Sequence, residues 1–319
     1  WNGAVEPRVV LRELYPLEGA GNGLTDTAPT HVCECGEAEW WHRFEAELRR
    51  PLDERPATDG PEVSTNSGIG RERHLLRREC EAWGSATARI AELVSSGAGV
   101  LAVCADASRR AALAGGATGL ARFNGGAALV ACHRCAAEAV AALADRAGGG
   151  LALSDYAALV REPALAAGFE HVVLVDPPAS PVQEAAAVAA PATGEAFLHR
   201  LWGEPELPFA RAALAEQWAS REGVAAAFRA LREAGEVSGT ALREALAGAG
   251  PNPLCPEAAA RRLRVLGELE LVRGGPGAGG GVVGVVSSGG TDLQRSGAFR
   301  AYDAAHAEAQ RFLERPKLP

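Results

Sequence analysis

A chain of 319 residues with 47% apolar content is long enough for about two domains with sizeable cores. The formal charge of -8 excludes a uniformly basic nucleic-acid coat, and no apolar run approaches the roughly 18–20 residues of a membrane span. No signal peptide is recognisable, there is no methionine, and Lys317 is the only lysine. Trp1 is therefore not a translation start, and the sequence reads as a piece of a longer protein. Seven cysteines, an odd number scattered through a long chain, point to reduced thiols and a cytoplasmic setting.

Residues 1–15 carry Val9, Leu11 and Leu14 among Arg8, Arg12 and Glu13, which predicts one strand ending at Pro16. A lone strand is unstable, so residues 1–17 read as the end of a β domain. Residues 18–70 are rich in Gly, Pro, Thr and Asp and read as a linker. One amphipathic helix, Glu37–Arg50, interrupts it with Trp40, Trp41, Phe44 and Leu48 near one face.

A helix is predicted over Arg71–Ser95, opened by the charged run Arg71–Arg78. That run reads as a solvated helix face, with phosphate contact as its functional alternative. Strands follow at 99–104, 127–131, 150–153 and 171–175, with helices at 107–114, 133–145 and 154–160 between them. A short strand or turn near Phe197–Trp202 closes this unit, 71–204. Two of the strands, GVLAVCAD and HVVLVDPP, are apolar runs that end in Asp106 and Asp176. Such runs suit strands buried on both faces, and their alternation with helices predicts a doubly wound parallel sheet.

After Pro205 the pattern becomes helical: 209–219, 223–234, 240–247 and 256–268. Apolar segments 269–272 and 282–286 flank a glycine-rich turn, and a last helix covers Leu293–Leu313. Three helices and a strand hairpin give the order of a winged helix over 205–319, with Pro256–Glu268 in the recognition position.

A P-loop needs a lysine that reaches the β- and γ-phosphates, and Lys317 is far from any such segment. Asp106 and Asp176 are then strand-end caps and turn formers, Asp176 having a Walker-B-type strand end as its sharper alternative. Cys33 and Cys35 with His31 and His42, and Cys132-His133-Arg134-Cys135, could be metal clusters. Their spacing departs from the paired CxxC of a zinc ribbon, so incidental thiols are the plainer reading. No GxSxG elbow is present. Arg261, Arg262 and Arg264 on the helix 256–268, in the recognition position, have the planar forks that suit phosphate and base edges. The plainer alternative is a helix whose arginines are merely solvated.

WNGAVEPRVVLRELYPL resembles the end of the OB domain of RecJ-type single-stranded-DNA-specific exonucleases, as found in actinobacteria and their relatives. GVLAVCADASRRAAL, FEHVVLVDPPASP, HRLWGEPELPFA, PEAAARRLRVLGELELV and TDLQRSGAFRAYDAAHAEAQRFL resemble the C-terminal extension of the same proteins, in the same order. The resemblance implies an OB-domain tail, a degenerate RecA-like (helicase-like) α/β domain without an ATP-binding loop, and a C-terminal winged helix. It implies a parent that degrades single-stranded DNA 5′→3′ in repair and recombination, with manganese or magnesium held by a DHH domain. No Asp-His-His occurs in this sequence, so no metal ligand carries over and the chain is expected to be inactive alone. Arg8 and Arg12 match the OB strand that helps hold single-stranded DNA. The expected partners are single-stranded DNA and single-strand-binding or other repair proteins, with no cofactor in this chain and no membrane. A protein–protein adaptor without nucleic-acid contact is the alternative.

Overall fold

A computed structural model describes residues 30–32, 36–52, 74–77, 86–118, 127–130, 143, 146–190, 192, 194–248, 253–275, 281–286 and 290–315. Its centre is β3 (Gly99–Cys104), buried along its whole length. On one side it pairs with β5 (Gly150–Asp155), and on the other with β6 (His171–Leu174). β1 (Thr30–Val32), β2 (His74–Arg77), β4 (Ala127–Val130) and β7 (Phe197–Arg200) complete a seven-stranded sheet in the order β1-β4-β5-β3-β6-β7-β2. Every pairing in it is parallel.

The period-two alternation of β side chains divides the apolar residues between two faces. Leu101, Val103, Val172 and Leu174 join Tyr156 and Leu159 of α4 (Tyr156–Arg161) on one face. Val100, Ala102, Val173 and Val175 join Ile90, Leu93 and Val94 of α2 (Ala86–Ser95) and Ala114 of α3 (Ala107–Thr118) on the other. α5 (Pro181–Val188) starts at Ser180, whose hydroxyl accepts from the Gln183 N–H.

Beyond the sheet lie α6 (Leu207–Gln217), α7 (Arg221–Ala234), α8 (Gly239–Ala247) and α9 (Pro256–Glu268). A two-stranded antiparallel hairpin, β8 (Val272–Arg273) with β9 (Gly284–Val285), is extended by a bridge between Val237 and Val283. Gly274 opens the hairpin at φ 96°, where a side chain would also run into the Val282 carbonyl. The last helix, α10 (Gly297–Leu313), is capped by buried Ser296, which accepts from the Phe299 N–H at 3.0 Å and donates to Glu268 at 2.7 Å. Ser296→Ala is expected to lower unfolding free energy by about 1–2 kcal/mol in urea titrations, the cost of a lost cap.

The expected α/β class holds, and several element boundaries are corrected. Residues 74–77 are strand where a continuous helix over 71–95 was expected, because HLLR pairs in register with Phe197–Arg200. Among the described residues, the helical part of that stretch is Ala86–Ser95. Strand β5 runs on to Asp155, since Ser154 and Asp155 pair with Val103 and Cys104. Two segments assigned to the linker are structural: β1 is an edge strand, and α1 (Glu37–Arg49) packs into the helical part. Trp40, Trp41 and Phe44 share one core with Leu214, Leu231, Leu242 and Leu266. Of the expected helix 133–145 only Leu143, helical and buried, is among the described residues, and the strand at residues 1–17 lies outside them.

Candidate functional site at the carboxyl ends of the strands

In a doubly wound sheet the ligand crevice opens where neighbouring strands send their connections in opposite directions. From β3 the chain moves toward β4, and from β6 it moves toward β7, so that point lies between β3 and β6. Asp176 occupies it with no solvent exposure. Its Oδ2 accepts from the Ala105 N–H at 2.9 Å and its Oδ1 from Arg109 Nε at 3.3 Å. The Tyr156 hydroxyl donates to the Asp176 carbonyl at 2.7 Å. Burial raises the Asp176 carboxyl above the usual range, and the Ala105 N–H and Arg109 partly offset that rise.

The neighbouring carboxylates are also occupied by the protein itself. Asp106 accepts from the Arg109 N–H at 2.7 Å and so caps α3. Asp155 caps α4 by accepting from the Ala158 N–H at 3.0 Å, and it holds buried Arg110 at 2.7 Å. Arg109 in turn lies 3.7 Å over the Phe209 ring, which ties this edge to α6. The capping reading describes the contact of Asp106, whereas Asp176 reaches across to the Ala105 N–H and Arg109. Burial also raises the Cys104 thiol well above its ordinary value, and drives that of Cys255 up to about 11. Neither is a ready thiolate nucleophile.

Between this edge and the helical part lies a cavity of about 460 Å³, lined among others by Asp106, Asp155, Glu216, Arg43, Glu257 and Arg261. Its cationic wall is internally neutralised. Arg43 reaches Glu257 at 2.6 Å. Glu47 Oε1 accepts from Arg261 Nε and Arg50 Nη2, each at 2.7 Å, while its Oε2 accepts from Arg50 Nε at 2.8 Å. Arg261 also donates to the Gln217 carbonyl at 2.9 Å and stands 4.5 Å over the Trp218 ring.

These contacts correct the expected row of exposed arginines on the helix 256–268. Arg261 is wholly buried, and Arg262 is buried with its Nη2 donating to the Glu216 carbonyl at 3.3 Å. Arg264 donates to the Arg50 carbonyl and lies 3.5 Å from Glu268. The reason is α1, which packs along α9 and brings Glu47 to the guanidinium of Arg261. As placed, Arg261 and Arg262 hold helices together instead of facing a groove of DNA. Arg8 and Arg12 lie outside the described residues, as do the side chains of His31, Cys33, Cys35, Cys132, His133 and Cys135. Among the described residues no group of three or more His, Cys, Asp or Glu side chains is placed to hold a metal ion.

Sequence reasoning passed over Glu47 and His199. Glu47 falls on the stripe marked by Trp40, Phe44 and Leu48, and a charge on an apolar stripe is a signal of a buried partner. His199 is fully buried on β7, 3.0 Å from His171 on β6. Comparison with known proteins adds no relative: no family model, no curated protein and no solved structure matches the chain. No helix among the described residues is long and apolar enough to cross a membrane.

Proposed function

We propose that this chain is a non-catalytic region of a RecJ-like, single-strand-specific 5′→3′ exonuclease, and that it holds DNA or a partner protein for that enzyme. The ordered resemblance of its segments to the C-terminal extension of those exonucleases motivates the reading. The observation that carries it is the occupied crevice at Asp176. With the Ala105 N–H and Arg109 both engaged by Asp176, neither of these donors is left for a phosphate at that strand end. On this reading 71–204 is a RecA-like domain without nucleotide chemistry, residues 1–17 end an OB domain, and 205–319 is a winged-helix domain. Manganese or magnesium would belong to the nuclease domain of the parent, since no Asp-His-His is present here.

A specific observation favours a protein partner over DNA at the winged helix, namely the interior placement of Arg261 and Arg262. Titration of the chain against labelled single- and double-stranded oligonucleotides at two salt concentrations separates the two. Phosphate contacts make affinity fall steeply with salt. We expect at most weak binding, and unchanged binding when exposed Arg221, Arg229 and Arg232 are the only residues changed to alanine. Tight binding that weakens steeply with salt would establish DNA as the partner. Absence of binding at low salt leaves the protein-holding role.

A further inference from the structure

The strand-end cavity of about 460 Å³ has the size of a small-molecule site, and its lining carries unmatched groups of two kinds. The first kind is anionic. Asp106, just before α3, and Glu216, on the last turn of α6, both face the cavity. Asp106 accepts from the Arg109 N–H, and neither carboxylate forms an ion pair among the described residues. Burial raises both carboxyls above their ordinary values, and Asp106 adds to the rise at Glu216. Arg262 favours the Glu216 anion, but its Nη2 donates to the Glu216 carbonyl. With Asp155 already held by Arg110, this part of the cavity is short of a cation.

The second kind is a spare donor. The wall formed by α1 and α9 is paired in charge, Arg43 with Glu257 and Arg261 with Glu47. Arg261 has no solvent exposure, and it donates through Nε to Glu47 and through Nη1 to the Gln217 carbonyl. Its Nη2 has no hydrogen-bond partner. Buried donors almost always find an acceptor, and one left without is costly. Elsewhere the lining includes aliphatic Ala107, Val160, Ala213 and Leu254. A space that lacks a cation in one place and an acceptor in another, with aliphatic walls, suits a ligand carrying both charges and an apolar body.

We infer that this cavity binds a free amino acid with an aliphatic side chain, which bridges the strand-end edge and the helical part. The ammonium group of the ligand would sit with Asp106 and Glu216 and relieve their repulsion. Its carboxylate would accept from Arg261 Nη2, after a small side-chain rotation that uncovers this atom. Its side chain would lie against Val160 and Leu254. Arg43 and Arg50, which hold Glu257 and Glu47, keep that wall from repelling the carboxylate. The inference goes beyond the partner-holding reading and does not need the exonuclease resemblance. Its test uses neither DNA nor a partner protein.

The probe is L-leucine, titrated into the full chain by calorimetry. Its counterparts are 3-methylbutylamine, which lacks the carboxylate, and 4-methylpentanoate, which lacks the amine. Leucine should bind and raise the thermal midpoint. Each counterpart should bind about tenfold or more weakly, the worth of one charge-assisted hydrogen bond. Glu216→Gln should weaken leucine binding about tenfold. The midpoint of the free variant should not fall, because Glu216 is exposed and has no ion pair among the described residues. Asp106→Asn retains a capping side chain for α3 and should weaken leucine binding as well. In both variants the advantage of leucine over 4-methylpentanoate should shrink. Equal binding of leucine and either counterpart, or leucine binding untouched by either variant, would overturn the inference. Absence of binding at millimolar leucine would overturn it as well, and the partner-holding reading would be unaffected.

Discussion

Glu47→Ala is expected to lower unfolding free energy by about 3–5 kcal/mol, the range for breaking a buried ion pair from one side. Among the described residues Glu47 is the only carboxylate in hydrogen-bond contact with Arg261, and it also accepts from Arg50. Its loss leaves Arg261 charged, with no solvent exposure, against Trp218 and a single carbonyl. Burial alone would raise the Glu47 carboxyl, but Arg50 and Arg261 more than offset it and hold it below its ordinary 4.5. A depressed folded value means that this stabilisation is complete above about pH 4.5 and is lost as pH falls through the folded value. Urea titration of Glu47→Ala, Arg261→Met and the double variant measures the coupling. The double variant should lose less than the sum of the singles, because an apolar pair strands no charge. An additive result would mean that the pair is not coupled.

Unfolding free energy should also rise by about 3 kcal/mol between pH 4 and pH 6.5, through His199. Burial, then the neighbouring His171 and Arg89, push His199 from 6.5 down to about 4. The unfolded chain therefore binds a proton that the folded protein refuses. The stabilisation is complete above pH 6.5 and disappears as pH falls to about 4. Around this site lie His171, whose Nδ1 is 3.0 Å from His199 Nε2, and Glu170, 3.4 Å from His171 Nε2. Phe197 stacks on His171 at 5.2 Å and completes the enclosure. His199→Leu should flatten the slope between pH 4 and 6.5, whereas the Glu47 contribution changes only below about pH 4.5. Denaturant midpoints measured across the range decide it, and an unchanged slope in His199→Leu would assign the proton elsewhere.

The parts of this molecule that could be read from the sequence are those set by short stretches. GVLAVC and HVVL are apolar on both faces and end in aspartates, so their strands, their parallel class and their capping carboxylates follow from local pattern. Strand His74–Arg77 was hidden because RERHLLRR has the composition of a solvated helix, and its structure is set by pairing with β7 far along the chain. The arginines of α9 were misjudged for the same reason. Nothing within PEAAARRLRVLGE shows that Arg261 will be enclosed, because its partner Glu47 lies 214 residues away. The helix that carries Glu47 sits in a glycine- and proline-rich region that reads as linker. Trp40, Trp41 and Phe44 were the clue, since a helix with three aromatic residues on one face needs a core to bury them.

On the proposed function, Asp176 is taken up by the Ala105 N–H and Arg109, and the sheet binds no nucleotide. Thermal unfolding with and without ATP and magnesium tests this most directly, because any ligand that binds only the folded state raises the midpoint. With Asp176 held by Ala105 and Arg109, the midpoint should be the same in both conditions. A rise of several degrees at millimolar nucleotide, abolished by Asp176→Asn, would contradict the claim and return the sheet to the nucleotide-binding enzymes.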